Sequence, residues 1–359
     1  MYEFAKNPAH AMKEARGKIK DFFNAANEKE IIFTSCGSES ANMAIRGVLN
    51  MNKNKKHIIT TKVEHPCVLN LYQTLEKQGY SVDYIGVNSN GELDLAQLDE
   101  AINDDTALVS IMYANNETGV IYPIQKISEM IKRKNPHTKF FVDAVQVAGK
   151  IPIDVQELGV DLLGISGHKF HAPKGVGALY CNSKTIITPL IIGGHQERGK
   201  RAGTENVPYI VGLGKAAEVA TDFLKYEATE VKRLRDKLEA GILKNVYNAR
   251  LNTGAALRVP NTTNIGFEYI EGELILLHLS DLGICASSGS ACTSGSLEPS
   301  HVLRAMNVPF TAIHGSIRLS LSKYTTEQEI DYVNEVLPGI IEKIRNISCL
   351  LYTSPSPRD

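Results

Sequence analysis

Short β-rich runs alternate with helical patterns over residues 30–180, and this alternation constrains the fold more than any other feature of the sequence. Strands separated by helices form the βα units that surround a mainly parallel sheet. The predicted strands cover residues 31–34, 57–61, 82–85, 107–112, 140–143, 162–165 and 177–181. The predicted helices between them cover residues 40–49, 68–77, 95–101 and 124–134. We therefore expect an α/β fold.

The second half of the sequence predicts a smaller domain. A long helical pattern over residues 209–246 is rich in Ala, Lys, Glu and Leu. The strands predicted beyond it cover residues 264–267 and 317–321, and the helices cover 271–281, 300–306 and 326–344. We expect a large domain over residues 1–245 and a small C-terminal α+β domain over residues 246–346.

The last residues differ from the rest of the chain. Residues 347–359 contain a Ser-Pro-Ser-Pro run and no pattern that could bury a face. We expect a disordered tail, and its unrelated composition also suggests a cloning or sequencing scar.

Charge and hydropathy exclude several classes of partner. The formal net charge is −1, with 39 basic and 40 acidic side chains, so no excess charge attracts nucleic acid or an anionic membrane. No apolar run approaches the roughly 20 residues of a membrane-spanning helix, and the N-terminus lacks the apolar stretch of a signal peptide. We predict a cytoplasmic protein.

Six cysteines occur without CxxC pairs or regular spacing, at positions 36, 67, 181, 285, 292 and 349. This distribution argues against a disulfide framework and against a structural metal site. Cys292 alone stands in a run of small residues, Ser288-Gly289-Ser290-Ala291-Cys292-Thr293-Ser294-Gly295-Ser296. Such a run predicts a flexible, accessible loop, although an ordinary thiol in a tight turn fits the composition as well.

Two predicted strands deliver ionisable side chains at their carboxyl ends, the edge where open α/β sheets bind ligands. Lys169 follows the strand at 162–165, and a desolvated lysine there can form a Schiff base. Asp143 ends the strand at 140–143, and an aspartate beside a pyridinium nitrogen is what pyridoxal phosphate needs. Gln146 could donate to the phenolic oxygen of the ring. The alternatives without a role in cofactor binding are a lysine on the surface and an aspartate that only caps the next helix.

A phosphate site is predicted where residues 33–40 pass from a strand through a small polar turn into a helix. Backbone N–H groups at such a helix start suit a phosphate. The turn lacks the Gly-Lys-Ser or Gly-Lys-Thr ending of a P-loop, and its serines could simply cap the helix.

Five motifs together resemble the NifS/IscS cysteine desulfurases of the class-V aminotransferase family, and they follow the family's order. They are Glu64-His65-Pro66, Asn115-Asn116-Glu117-Thr118-Gly119, Ser166-Gly167-His168-Lys169, Arg201-Ala202-Gly203-Thr204 and the Cys292 segment extended to Leu297-Glu298-Pro299. The resemblance covers about residues 13–344. The long motif around Cys292 is specific to this branch of the family.

The resemblance implies a type I pyridoxal-phosphate fold, bound pyridoxal 5'-phosphate, and a homodimer with active sites near the subunit boundary. Lys169 matches the Schiff-base lysine, Asp143 the acid at the pyridine nitrogen, and Gln146 the partner of the ring oxygen. His65 matches the histidine that stacks on the ring.

The remaining matches concern the phosphate and the substrate. The residues that match the phosphate cradle are Gly37, Ser38, Ser166 and His168, joined by Thr204 from the other subunit. Asn116 and Arg318 fall where the family handles the cofactor or the substrate carboxylate, Arg318 by a bidentate grip.

The implied activity converts L-cysteine to L-alanine and leaves the sulfur as a persulfide on Cys292. Lys169 moves the Cα proton, and His65 completes the catalytic set. The sulfur then passes to an iron–sulfur scaffold protein or another acceptor. The alternatives are a selenocysteine lyase, a related type I aminotransferase, or an inactive sulfur-relay partner. The last is suggested because the family's N-terminal Asp-Asn-Asn-Ala-Thr-like segment and its C-terminal docking extension are absent from this sequence, so we expect part of the small domain to be missing.

Overall fold

The computed structural model describes residues 2–288 and 299–347, which form two compact units. The first unit comprises Met1–Gly86, Leu93–Asn115 and Tyr122–Leu224. The second comprises Val87–Glu92, Asn116–Ile121 and Lys225–Asp359. The predicted domain boundary at residue 245 stays a prediction.

The first unit is built on seven strands: β1 Ile31–Thr34, β2 His57–Thr61, β3 Ser81–Ile85, β4 Thr106–Met112, β5 Lys139–Asp143, β6 Leu162–Ser166 and β7 Gly177–Cys181. Its helices are α1 Lys6–Phe22, α2 Gly37–Met51, α3 Pro66–Lys77, α4 Leu95–Ala101, α5 Ile124–Lys134 and α6 Val155–Leu158. Helix α7, Val207–Tyr226, continues through a π-helical turn at Glu227–Val231 into α8, Lys232–Asn245.

The strands form one sheet in the order β1-β7-β6-β5-β4-β2-β3. Strands β3, β2, β4, β5 and β6 pair in parallel, and β7 pairs antiparallel with both β6 and β1. The prediction of an α/β fold with a mainly parallel sheet is confirmed.

Helices α2 and α3 share an apolar core with this sheet. The buried residues of α2 include Ala41, Ala44, Ile45 and Val48, which recur at helical spacing. Every residue of β4 is buried, as expected for a central strand covered on both faces. The core side chains include Ile32, Ile45, Val48, Ile58, Val68, Tyr72, Leu108, Phe141, Leu162 and Leu179.

The second unit contains α8, four further helices and a second sheet. The helices are α9 Gly272–Asp281, α10 His301–Ala305, α11 Phe310–Ile313 and α12 Glu327–Ile347. The strands are β8 Ala249–Leu251, β9 Thr262–Phe267, β10 Ser287–Ser288 and β11 Ser316–Ser320, paired antiparallel in the order β10-β11-β9-β8. Apolar residues of α8, α9 and α12 form one core with β9 and β11, including Leu234, Leu238, Ile265, Phe267, Ile275, Ile317, Leu337 and Ile341.

Every predicted strand and helix is present, and most differ only at their ends. Helix α2 begins at Gly37, three residues before the predicted start, and the long pattern at 209–246 is a helix interrupted by the π-helical turn. Helices α1, α6 and α11 and the short strands β8 and β10 are additional to the prediction. Within residues 2–288 and 299–347, no helix is long and apolar enough to cross a membrane.

Candidate active site

Strand direction brings the predicted cofactor residues to one edge of the first unit's sheet. Strands β2, β4, β5 and β6 are parallel, and β1 runs in the same direction because two antiparallel pairings separate it from β6. Their carboxyl ends therefore lie on the same edge. The residues at or just after these ends are Gly37 and Ser38 after β1, His65 after β2, Asp143 and Gln146 at β5, and Ser166, His168 and Lys169 at β6.

The carboxyl group of Asp143 is buried at the end of β5. Burial raises its pKa to about 6, while a hydrogen bond from the Val145 N–H and the charge of Lys169 act in the opposite direction. The Val145 bond reaches Asp143 Oδ1 over 2.9 Å. Gln146 lies half-buried in the turn that follows. A buried carboxylate with so few hydrogen bonds and charges to stabilise its ionised form is suited to pair with a cationic N–H group.

Lys169 lies in a single 3-10 turn directly after β6, with its side chain exposed. Strand β6 neighbours β5, and Gly164 is the register partner of Asp143. The turn needs Gly167, because a Cβ there would lie 2.8 Å from Leu213 Cδ1. The Ser166 Oγ and His168 Nδ1 atoms are hydrogen-bonded at 2.9 Å within the same turn.

The start of α2 forms the predicted phosphate cradle. Its N-cap residue, Cys36, gives no side-chain hydrogen bond to the first N–H groups of the helix. A Cβ on Gly37 would lie 2.8 Å from Val145 Cγ2 and 3.5 Å from Ser166 Cβ, so glycine lets the helix start approach the ends of β5 and β6. Ser38 is exposed beside it. The arrangement suits an anion at a helix N-terminus.

Thr204 is placed near this cradle by an ion pair. Arg201 donates to Glu39 in the first turn of α2, through Nε to Oε1 at 2.8 Å and through Nη2 to Oε2 at 3.3 Å. Thr204 is exposed and lines a cavity with Thr34 and Ser35, at the end of β1. Its predicted contribution to the other subunit's phosphate site stays a prediction.

His65 is the N-cap of α3, where its Nδ1 accepts the N–H of Cys67 at 3.2 Å. The neutral imidazole therefore carries its proton on Nε2. Burial, with the charges of Asp143 and Glu64, raises the pKa of the Cys67 thiol. Burial also raises the pKa of Cys181. Neither thiol is suited to act as a nucleophile.

Glu64 is a site residue to which the sequence reasoning assigned no role. It is fully buried, and its Oε1 accepts hydrogen bonds from Thr61 Oγ1 and from the Met112 N–H, each at 2.9 Å. Burial raises its pKa to about 8, and the charge of Asp143 adds to the effect. One feature of the sequence could have indicated a role for Glu64. It is an acidic residue between a buried strand and a helix cap, in the Glu64-His65-Pro66 motif.

The second unit holds the predicted substrate pair. Arg318, on β11, donates from Nη1 to the Asn116 carbonyl oxygen at 2.6 Å. Its Nε is buried, and within the described residues it has no hydrogen-bond partner. A carboxylate could accept from this side of the guanidinium group.

Cys292 lies outside the described residues, but both flanks of its segment are described. On one side, Ser287 of β10 is the register partner of Arg318. On the other, Ser300 caps α10 and donates from Oγ to Glu117 Oε2 at 2.5 Å. The chain therefore enters and leaves the Cys292 segment beside the residues that surround Arg318.

Residues 1–333 match the class-V aminotransferase family. The chain belongs to this family. It is 55% identical to a cysteine desulfurase from Nostoc sp. and 51% identical to the cysteine desulfurase NifS from Azotobacter vinelandii, in each case over 97% of this chain and 86% of the relative. A solved NifS-like protein superimposes with a TM-score of 0.89 at 39% identity, covering 95% of this chain and 90% of that one.

The predicted resemblance, fold class and enzyme class are thereby confirmed: the chain is an enzyme of the cysteine desulfurase type. The family implies pyridoxal phosphate as cofactor. Within the described residues, no group of three or more His, Cys, Asp or Glu side chains could hold a metal ion. The individual roles of the site residues stay predictions.

Proposed function

We propose that this enzyme converts L-cysteine to L-alanine and retains the sulfur as a persulfide on Cys292. The observation that carries the proposal is in the second unit. One flank of the Cys292 segment pairs with Arg318, and the other bonds Glu117, next to the Asn116 carbonyl that Arg318 reaches. A residue suited to hold an amino-acid carboxylate is thus close in the fold to the chain that bears the nucleophile.

The residues of the first unit fit pyridoxal 5'-phosphate. Asp143 offers a buried carboxylate to a pyridinium N–H, and Lys169 lies at the neighbouring strand end. The start of α2, opened by Gly37, offers N–H groups to a phosphate. These three features match the positive ring nitrogen, the carbonyl carbon and the phosphate of one small molecule.

When bound, pyridoxal phosphate takes up the electrons released as the Cα–H bond of the substrate breaks. Asp143 keeps the ring nitrogen protonated. Lys169 would hold the cofactor through Nζ and, with its amine free, would take the Cα proton of the substrate. His65, which carries its proton on Nε2, would stack its ring on the cofactor. Arg318 and Asn116 fix the substrate carboxylate.

Cys292 then attacks the sulfur of the substrate as a thiolate. The S–S bond forms as the Cβ–S bond breaks, and the electron pair of the broken bond stays with the substrate carbon. One proton delivered to Cβ and the proton returned to Cα by Lys169 then complete alanine. The persulfide passes to an acceptor, which we propose is a scaffold protein for iron–sulfur cluster assembly. We further propose a cytoplasmic homodimer in which Thr204 reaches the phosphate of the other subunit.

The decisive experiment supplies the purified protein with pyridoxal phosphate and L-cysteine and measures alanine and sulfide together. Lys169→Ala should abolish both products, and peptide mapping after borohydride reduction should find the pyridoxyl group on Lys169 in the wild type. Cys292→Ser should keep full cofactor occupancy and lose sulfide. Cys285→Ser, a matched control at an exposed cysteine of the same unit, should behave as the wild type.

A pyridoxyl group on another lysine, or full sulfide release by Cys292→Ser, would reject these assignments. Selenide release from selenocysteine with no turnover of cysteine would instead identify a selenocysteine lyase.

A further inference from the structure

Glu117 is a buried acid that the proposed chemistry does not use. Only 2% of its surface is exposed, and its backbone oxygen accepts a hydrogen bond from Asn264 Nδ2 at 3.1 Å. The residue before it, Asn116, supplies the carbonyl oxygen that receives Arg318 Nη1. Asn264 is the register partner of Arg318 on β9. The carbonyl groups of Asn116 and Glu117 are therefore held by Arg318 and by its register partner, Asn264.

The side chain of Glu117 points to a different part of the unit. Its Oε2 accepts the hydroxyl proton of Ser300 at 2.5 Å. Ser300 Oγ in turn accepts the N–H groups of Val302 and Leu303, at 3.1 and 3.3 Å, and so caps α10. A hydroxyl group has one proton to donate, and the cap leaves it directed at Glu117. Burial raises the pKa of Glu117 to about 7, while the Ser300 hydrogen bond and the charge of Arg318 favour its ionised form.

We propose that Glu117 is a positioning residue, whose carboxyl group ties the backbone that holds Arg318 to Ser300, where the chain returns from Cys292. The hydrogen bond between Ser300 and Glu117 then fixes the backbone that holds Arg318 relative to the cap of α10. The inference rests on the proposed function and deepens it, because it assigns the positioning of Arg318 to a residue that the proposed chemistry does not use.

The test compares Glu117→Ala with Glu117→Gln, which keeps an oxygen that can accept from Ser300. We expect Glu117→Ala to lower kcat/KM for L-cysteine by about tenfold or more, the usual effect of losing a hydrogen bond to a charged group. The Kd of L-alanine, measured by calorimetry, should rise because Arg318 loses its alignment. Cofactor occupancy should not change. Glu117→Gln should restore kcat/KM to within about threefold of the wild type.

Glu239→Ala is the matched control. Glu239 is a buried acid of the same unit, and it pairs with Arg258 rather than with Ser300. This variant should lower the melting temperature without changing the Kd of L-alanine. If Glu117→Ala does not fold, Ser300→Asp serves instead, because aspartate keeps the helix cap but places a second carboxylate against Glu117.

Unchanged kcat/KM in Glu117→Ala or Ser300→Asp would overturn the inference, as would an equal loss in Glu239→Ala. Failure of the wild type to make alanine from L-cysteine would reject the proposed function itself. An active wild type with an equally active Glu117→Ala variant would reject only the inference about Glu117.

Discussion

Glu64 should make the protein less stable as the pH rises, and Glu64→Gln should remove that loss. The folded protein binds the Glu64 proton more tightly than the unfolded chain, because the buried carboxyl has a pKa of about 8 against an ordinary value of 4.5. A raised carboxyl pKa contributes stability that is fully present below pH 4.5 and is lost as the pH rises through 8. Glutamine does not titrate, and its side-chain oxygen can still accept from Thr61 and Met112.

The magnitude follows from the two pKa values. One pKa unit corresponds to about 1.4 kcal/mol, so the contribution of Glu64 to the free energy of unfolding falls by about 3 kcal/mol between pH 5.5 and pH 8. The difference in stability between Glu64→Gln and the wild type should move by that amount in favour of the variant. Groups that do not interact with Glu64 titrate alike in both proteins and cancel from the difference.

The assay is denaturant unfolding of both cofactor-free proteins at several pH values and one protein concentration, since ligand and subunit binding also shift stability. Glu39→Gln is the matched control. The ion pair with Arg201 and the Ser35 hydrogen bonds outweigh the effect of burial and lower the Glu39 pKa, so this group is ionised in both states throughout the window. Its difference from the wild type should stay constant from pH 5.5 to pH 8. A constant difference for Glu64→Gln as well would refute the reasoning and show that Glu64 is ionised in the folded protein.

Two further substitutions test the cofactor and substrate sites separately. Gly37→Ala should raise the Kd of pyridoxal phosphate by about tenfold in an absorbance titration, because the new Cβ meets Val145 Cγ2 at 2.8 Å and moves the start of α2. Gly339→Ala, a helical glycine with no atom within 4 Å of the added Cβ, should bind the cofactor normally. Arg318→Lys should raise the Kd of L-alanine by about tenfold with unchanged cofactor binding, since an ammonium group cannot reproduce the planar guanidinium fork. Unchanged alanine binding would mean that Arg318 does not hold the carboxylate.

The strands could be predicted because buried strands appear in the sequence as short runs of apolar residues. All of β4 is buried, and its sequence contains no residue that interrupts a central strand. Helix α1 was harder, because of its 17 residues only Ala15, Ile19 and Phe22 are buried. Strand β8 has three half-buried residues, too few for a periodic pattern. The structure of these elements depends more on the residues packed against them than on patterns in their own sequences.

The same distinction applies to the site. Asp143 and Lys169 could be predicted together because each follows a recognisable strand, and parallel strands end on a shared edge. The roles of Glu64 and Glu117 could not, because a glutamate is nearly always exposed and no local pattern marks the exceptions. Their burial depends on donors distant in the sequence, Met112 for Glu64 and Ser300 for Glu117.

We expect the buried Asp143 to link the stability of the fold to cofactor binding at the carboxyl edge of the sheet. Asp143 has its pKa raised to about 6 by burial, so its ionised form destabilises the cofactor-free fold near neutral pH. A cationic ring N–H bound at this carboxylate would reverse that penalty by favouring the ionised form. Cofactor binding should therefore stabilise the wild type more than Asp143→Asn, which has no charge to compensate. We therefore expect the carboxylate that costs stability in the cofactor-free protein to be the group that selects a protonated ring.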